Sequence, residues 1–394
     1  MSEGTAAVRD PARPLWADAG WRAVVAAFAL NGLLFGAWAS RIPAFKEGFS
    51  LAEGTLGLLL LALAAGAIVS FPLAGWLSEK RGADRLTMDC SWGYPPALVL
   101  LACAPGSAAL GAALFLFGAL HGAMDVAMNG WAARVEERLG RSTMSVFHAM
   151  FSLGAGLGAA SGFVAAKSGL EPLAHFALVA IIGGKVALAF IAIAQQTRTI
   201  AADKSEAGPL VALPSGALLL VGLVAFSVSM GEGAMADWSA VFLRVAVNAT
   251  EAQAALGYAA FSASMVLIRL FGGLLVQRLG PVLTTRLSGM IAFIGLMLVT
   301  GTSNFPAALA GFALIGIGYA IVMPLVFTRA ANDQTTRPGP AIASVATLGY
   351  GGMLLGPPLV GFVAQLTGLR LSFALLAILA LVAVLLASNL RVDD

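Results

Sequence analysis

Charge is scarce in this chain. Among its 394 residues are 23 Lys and Arg and 20 Asp and Glu, 11% together, against 59% hydrophobic residues; ordinary soluble domains carry about 25% charged and 45–50% apolar residues. A soluble catalytic domain is excluded on that ground. The two cysteines, Cys90 and Cys103, sit in or near one apolar segment and read as small buried hydrophobes, not as a disulfide or a metal pair. Only three histidines occur, too few for a His-rich metal cluster. There is no Gly-Lys-Ser or Gly-Lys-Thr phosphate loop and no Ser-His-Asp set at recognisable spacing, so neither an enzyme nor a bound cofactor is expected. The net charge of +3 arises from basic residues gathered at segment ends, with no continuous stripe for nucleic acid.

What remains is a series of apolar runs of membrane-spanning length, about 20 residues each. They fall at 21–43, 53–77, 86–105, 108–133, 143–166 and 173–195, then at 214–243, 252–277, 284–301, 306–330, 340–364 and 370–390, the third and ninth being the weakest. The expected fold is an all-α membrane protein of twelve transmembrane helices in two six-helix bundles, 21–195 and 214–390. These are flanked by a polar tail at 1–20, a polar linker at 196–213 and a short tail at 391–394. The apolar run after the first tail is too long for the core of a cleavable signal peptide. Lys80, Arg81, Arg85, Arg134, Arg138, Arg141, Arg198, Lys204, Arg278, Arg286, Arg329 and Arg337 fall on the side of the termini, and only Arg41, Lys46, Lys167, Arg244 and Arg370 opposite. Both termini are therefore expected in the cytoplasm of a bacterial-type inner membrane.

The halves repeat in register. Gly75-x-Leu77 with Gly82 returns as Gly273-x-Leu275 with Gly280, 198 residues on. Gly162-Phe-Val-Ala with Gly169 returns as Gly361-Phe-Val-Ala with Gly368, 199 on, and Trp38 stands 200 before Trp238. A duplicated six-span unit with a site between its halves is a transporter architecture, with substrate bound near the bilayer midplane.

Ionisable groups inside the apolar runs mark that site, because a charge at mid-bilayer costs at least a few kcal/mol and faces a cavity or a partner. His121, Asp125 and Asn129 fall at i, i+4 and i+8, one stripe of the fourth helix. Asp125 is the expected proton carrier and solute contact, with His121 and Asn129 beside it, although a helical histidine more often has a structural hydrogen bond. Asn31 in the first span is a further solute contact. Glu232, between Gly231 and Gly233, is either a cavity residue serving solute and proton or a structural partner. Asp237 and Trp238, nearer the outer end, fit interfacial anchoring better, with Trp238 kept as a solute contact. Arg269 and Asp125 lie at similar depth, ~12–14 Å from their inner ends at 1.5 Å per residue. Arg269 either pairs with Asp125 across the cavity, as part of a gate, or serves carbonyls and neighbours in its own half. Lys185 in the sixth span and His148 at the start of the fifth are given no chemistry.

Gly75-Trp-Leu-Ser-Glu79-Lys80-Arg81-Gly82 resembles the loop signature of the major facilitator superfamily, although Ala83-Asp84 replaces the usual basic pair after the second Gly. The resemblance covers nearly the whole chain and implies that Glu79, with Lys80 and Arg81, latches a cytoplasmic gate. The stretch Gly122-Ala-Met-Asp125-Val-Ala-Met-Asn129 resembles the fucose permease group, which implies a carboxylate used for substrate recognition and proton coupling; Ala39, four residues before Pro43, replaces that group's acid in the first helix. Exporter signatures are poor: Gly118 stands where an antiporter arginine belongs.

The expectation is a monomeric secondary transporter moving a small polar, sugar-like solute by alternating access in symport with protons, its other partner being the lipid bilayer. Two alternatives stay open: proton antiport of amphipathic drugs or metabolites, and a non-transporting membrane receptor or lipid-handling protein. Cysteines introduced at Ser205 and Asn248 test the topology in sealed vesicles: the first should label only from the cytoplasmic side and the second only from outside. Labelling of both from one face breaks the two-half arrangement.

Overall fold

The structure is a computed structural model that describes residues 14–141, 143–196 and 214–391. The polar linker expected at 196–213 lies outside the described residues apart from its first position, as do most of the two tails. The described chain is helical because backbone N–H and C=O groups in a lipid core find partners only within the segment itself.

The elements are α1 (Ala19–Gly48), α2 (Glu53–Arg81), α3 (Ala83–Ala102), α4 (Ser107–Leu139), α5 (Met144–Lys167), α6 (Pro172–Gln196), α7 (Ala217–Ala246), α8 (Glu251–Gly301), α9 (Phe305–Tyr319), α10 (Val322–Ala331), α11 (Pro338–Thr367) and α12 (Leu369–Leu386). They make twelve crossings. Helix α8 supplies two, turning at Gly280 (φ 74°, ψ 165°) before Pro281, and α9 with α10 supplies one. Of the two segments expected to be weakest, only the third departs from the apolar spans, and the interrupted crossing is the tenth, where α9 ends at Tyr319 and α10 begins at Val322. The ninth is the second arm of α8, and α3 is too polar to stand among the apolar spans because Asp84, Arg85 and Asp89 lie within it. Helix α3 begins at Ala83, not 86, since Asp84 and Arg85 form its first turn instead of ending a loop. Cys103 corrects an expectation: it is exposed, and only Cys90 is buried.

The sequence repeat is a repeat of backbone shape. Gly82 (φ 95°) and Gly280 (φ 74°) are single-residue turns of positive φ at the same place in each half; Gly169 (φ 68°) and Gly368 (φ 84°) also match. Ser50 and Asn248, which end the turns after α1 and α7, share positive φ although neither is Gly. Helix pairing repeats as well. In the first half, Gly36 of α1 lies against the Ala155 carbonyl of α5 and Gly118 of α4 against the Leu63 carbonyl of α2. In the second, Gly352 of α11 meets the Phe226 carbonyl of α7 and Gly316 of α9 the Phe261 carbonyl of α8. A Cβ at any of these would drive the helices apart, the use membrane proteins make of small residues at interfaces.

The face holding the start of α1 and the end of α12 is called proximal here, the other distal. Ties between halves cluster at the distal face. Arg244 of α7 pairs with Glu47 of α1, Arg41 of α1 lies 3.4 Å from Glu251 of α8, and the Gly54 amide of α2 donates to Gln365 of α11 at 3.0 Å. Gly57 and Gly361 bring α2 and α11 into backbone contact there. Towards the proximal side, Tyr350 of α11 touches Phe71 and Asp125 of the other half and is 43% exposed.

Gly273 and Gly280, both in the second copy of the repeat, have open space where a Cβ would go, but only Gly280 has positive φ. Gly280→Ala should therefore cost about 1–2 kcal/mol, the price of a left-handed L-residue, and Gly273→Ala should be neutral or stabilising by up to ~1 kcal/mol. Thermal unfolding of the two purified variants checks the order.

Candidate functional site

The site lies between the halves at mid-depth, where α1, α5, α7, α8 and α11 converge. Phe35, Phe151, Phe261, Met265 and Met353 form apolar walls; Ser152, Glu232, Tyr258, Ser262 and Arg269 supply the polar groups. The enclosed space is about 40 Å³, room for one or two waters, so solute binding requires the walls to part.

Arg269 organises this cavity. Its Nη2 is 3.9 Å from Glu232 Oε2 on α7, its Nη1 donates to Ser152 Oγ on α5 at 2.6 Å, and its Nε donates to the Ala320 carbonyl at 3.2 Å. That carbonyl is available because the tenth crossing is interrupted between Tyr319 and Val322. Arg269 therefore serves its own half, through Glu232 and Ala320, and crosses to the other half at Ser152; Asp125 is not its partner. The ion pair is loose, and Glu232 Oε1 is buried with no hydrogen bond.

Asp125 finds its cross-half contact elsewhere. Tyr350 donates its hydroxyl to Oδ2 at 3.4 Å, while Asn129, one turn on, donates to Oδ1 at 3.2 Å and to the Asp125 carbonyl at 2.9 Å. The i, i+4 stripe thus exists as a hydrogen-bonded pair. His121, the third member, is held structurally: its Nδ1 is 3.0 Å from the Tyr94 hydroxyl and its ring stacks on Phe35 at 5.0 Å. Asn31 is fully buried, its amide donating to Met128 Sδ at 3.6 Å.

Two placements correct the sequence reading. Trp238 is fully buried, its indole N–H donating to the Pro357 carbonyl at 2.8 Å, and Asp237 is 4% exposed. Neither anchors the chain at an interface, and Trp238 does not line the cavity, because α7 is a central helix with neighbours all round. The gate residues lie apart from the cavity at the proximal face: Glu79 is exposed, Lys80 sits 4.7 Å over the Trp76 ring, and Arg81 is 3.8 Å from Asp89.

Sequence reasoning missed Ser152, Tyr258 and Tyr350. A signal existed. The chain has four tyrosines, Tyr94, Tyr258, Tyr319 and Tyr350, and membrane proteins enrich this residue at the interfaces. Here all four lie within spans and close on the ionisable interior: Tyr94 on His121, Tyr258 in the cavity wall, Tyr319 against Gly231, Tyr350 on Asp125.

Residues 23–337 match the Major Facilitator Superfamily. The chain belongs to that superfamily. It is 44% identical over 371 residues to an uncharacterized transporter, y4wD, of Sinorhizobium fredii, covering 94% of this chain and 98% of that one. It is 31% identical over 377 residues to the membrane protein MosC of Rhizobium meliloti, covering 94% and 89%. Among solved structures, a mutant form of the nucleoside transporter NupG superposes with a TM-score of 0.74 at 12% identity, covering 95% of this chain and 100% of that one. A bacterial homolog of the human lysosomal transporter Spinster, inward-facing and unoccupied, superposes with a TM-score of 0.71 at 15% identity, covering 94% and 96%. The protein is a multi-pass membrane transporter of the secondary type and not an enzyme.

In this transporter the Arg269–Glu232 pair gives a mutational test. Arg269→Gln leaves Glu232 without a countercharge, a change that costs about 3–5 kcal/mol for a buried pair. The double variant Arg269→Gln with Glu232→Gln should melt at a higher temperature than Arg269→Gln alone. If the double variant is the less stable of the two, Glu232 is not answered by Arg269.

Proposed function

We propose that the transporter carries a small polar, sugar-like solute in symport with protons, through alternating exposure of the central cavity. The observation that carries this reading is the pairing of hydrogen-bonding charges with aromatic walls at one depth. A guanidinium and a carboxylate that are only loosely joined can each turn to a ligand hydroxyl, while Phe35, Phe151 and Tyr258 offer flat apolar surface to a ring. Asp125 bridges the halves through Tyr350, so its protonation state acts on a contact that must change during transport. The likeness of its surroundings to the fucose permease group supports the same assignment. On the charge asymmetry of the loops, the proximal face is cytoplasmic and the membrane is a bacterial inner membrane. The ties at the distal face then close the outer side, and Glu79 lies exposed at the cytoplasmic face, where the latch proposed for it with Lys80 and Arg81 would act.

A second reading, proton-coupled efflux of amphipathic compounds, is favoured by the apolar residues of the lining, Phe35, Phe151, Ala236, Phe261, Met265 and Met353. A thermal-shift screen of sugars, polyols, nucleosides and amphipathic cations ranks the ligands, since a compound that binds the folded state raises apparent stability. Proteoliposome flux with the best hit, under pH gradients of either sign, then separates uptake from efflux.

Asp125→Asn mimics the protonated carboxyl while keeping its size. It should abolish pH-driven accumulation and preserve solute exchange across the membrane. Concentrative uptake by a well-folded Asp125→Asn protein would remove Asp125 from the coupling mechanism.

A further inference from the structure

Helix α7 carries a second carboxyl besides Glu232. Asp237 lies five residues further towards the distal face and is 4% exposed, and its Oδ1 is buried without a hydrogen-bond partner. Among the described residues neither oxygen has a hydrogen bond or an ion pair. Its setting is the seam between α7 and α11: Gly233, one turn earlier on the same face, lies against the Met353 carbonyl, and the adjacent Trp238 is bound to the Pro357 carbonyl.

The ionisable groups on the elements around α7 have other partners, although Arg41 Nε and Nη1 are buried without a hydrogen bond. On α8, Arg269 is held by Glu232, Ser152 and the Ala320 carbonyl, and Glu251 lies beside Arg41 of α1. Tyr258 of α8 lines the cavity. On α7 itself Arg244 is bound to Glu47 of α1 and to the Ala249 carbonyl, and Arg41 also donates to the Leu170 carbonyl. Arg370 of α12 is taken up by the carbonyls of Thr300, Thr302 and Ala246. Tyr319 of α9 and Tyr350 of α11 lie at the Glu232 and Asp125 levels. Among the described residues of these elements, no cation faces Asp237.

A carboxylate in such surroundings carries a desolvation penalty that no countercharge offsets. A buried group in that position becomes neutral instead. The ties of Arg244 of α7 to Glu47 of α1 and of Arg41 of α1 to Glu251 of α8 join the halves nearer the distal face. Parting them would expose the distal part of α7, which carries Asp237, to that solution.

From this geometry we infer that Asp237 is a proton-binding site of the transporter: its carboxyl holds a proton while the distal face is closed and exchanges it with the distal solution when that face opens. The inference rests on the proton-symport reading given above and adds a group to it. Asp125 meets Tyr350 where the halves face each other, Glu232 lines the cavity, and Asp237 lies beyond it towards the distal face.

The test needs no transported solute. Infrared spectra of the purified full chain in lipid, at neutral pH and in H₂O and D₂O, should show the carbonyl stretch of a protonated carboxyl, and Asp237→Asn should lose it. Should Asp237→Asn fold poorly, Asp125→Asn protein labelled with ¹³C at the aspartate carboxyl and compared with the Asp125→Asn, Asp237→Glu double variant keeps the assignment open to refutation: the isotope-shifted protonated band must vanish in the double variant. Survival of the full band in Asp237→Asn, or of the isotope-shifted band in the double variant, overturns the inference. So does a wild-type spectrum without the band together with sodium-dependent thermal stabilisation that Asp237→Asn abolishes, because a metal cation would then occupy the site. A band that belongs to Asp237 in a protein that accumulates none of the screened solutes under a pH gradient would leave the proton site standing and refute symport.

Discussion

Backbone-to-backbone contact between helices is the constraint on which the rest of this structure depends. In lipid, apolar side chains gain little by turning from one hydrocarbon neighbour to another, so helices stay together where their surfaces fit closely. Gly36 on Ala155, Gly118 on Leu63, Gly352 on Phe226 and Gly316 on Phe261 give that fit, once in each of the paired helices of both halves. The rigidity of each bundle follows from these contacts, and with it the fixed position of Ser152, Glu232 and Arg269 around one cavity. Where the halves meet, the closest glycine contact is that of Gly57 with Gly361 at the distal face, and polar side chains do much of the remaining joining. The first kind of contact is dense and unyielding; the second can be exchanged for water.

Much of this was legible in the sequence, for identifiable reasons. Span length and apolar composition are one-dimensional properties, so the twelve crossings could be counted, including the weak third and ninth. The repeat of Gly82 at Gly280 and of Gly169 at Gly368 was visible as letters, and its meaning, turns of positive φ, needed only that glycine tolerates that conformation. The Asp125–Asn129 pair was visible because both residues belong to one helix and the helical repeat fixes their relation.

What joins different helices was not legible. Arg269 and Asp125 were placed at similar depth, yet depth says nothing of azimuth, and Arg269 points to Glu232 and Ser152 while Asp125 points to Tyr350. Asp237 and Trp238 failed differently. Their place near the end of an apolar run looked like an interface because the surroundings of α7 cannot be read from α7 alone. That helix is buried on every side from Ser227 almost without break to Leu243, so its composition carries no directional signal.

The single-residue turns at Gly82, Gly280 and Gly368 have a kinematic meaning. A helix pair joined by one residue has almost no slack, so α2 cannot slide against α3, the first arm of α8 against the second, or α11 against α12 without breaking the turn. Each bundle then behaves as a linkage whose internal freedoms have been removed one by one. The freedom that remains is the tilt of one bundle against the other, and its pivot lies where side chains, not backbones, make most of the contact. A machine reduced to one moving joint needs no further device to keep its two openings out of phase: the stroke that closes one end is the stroke that opens the other.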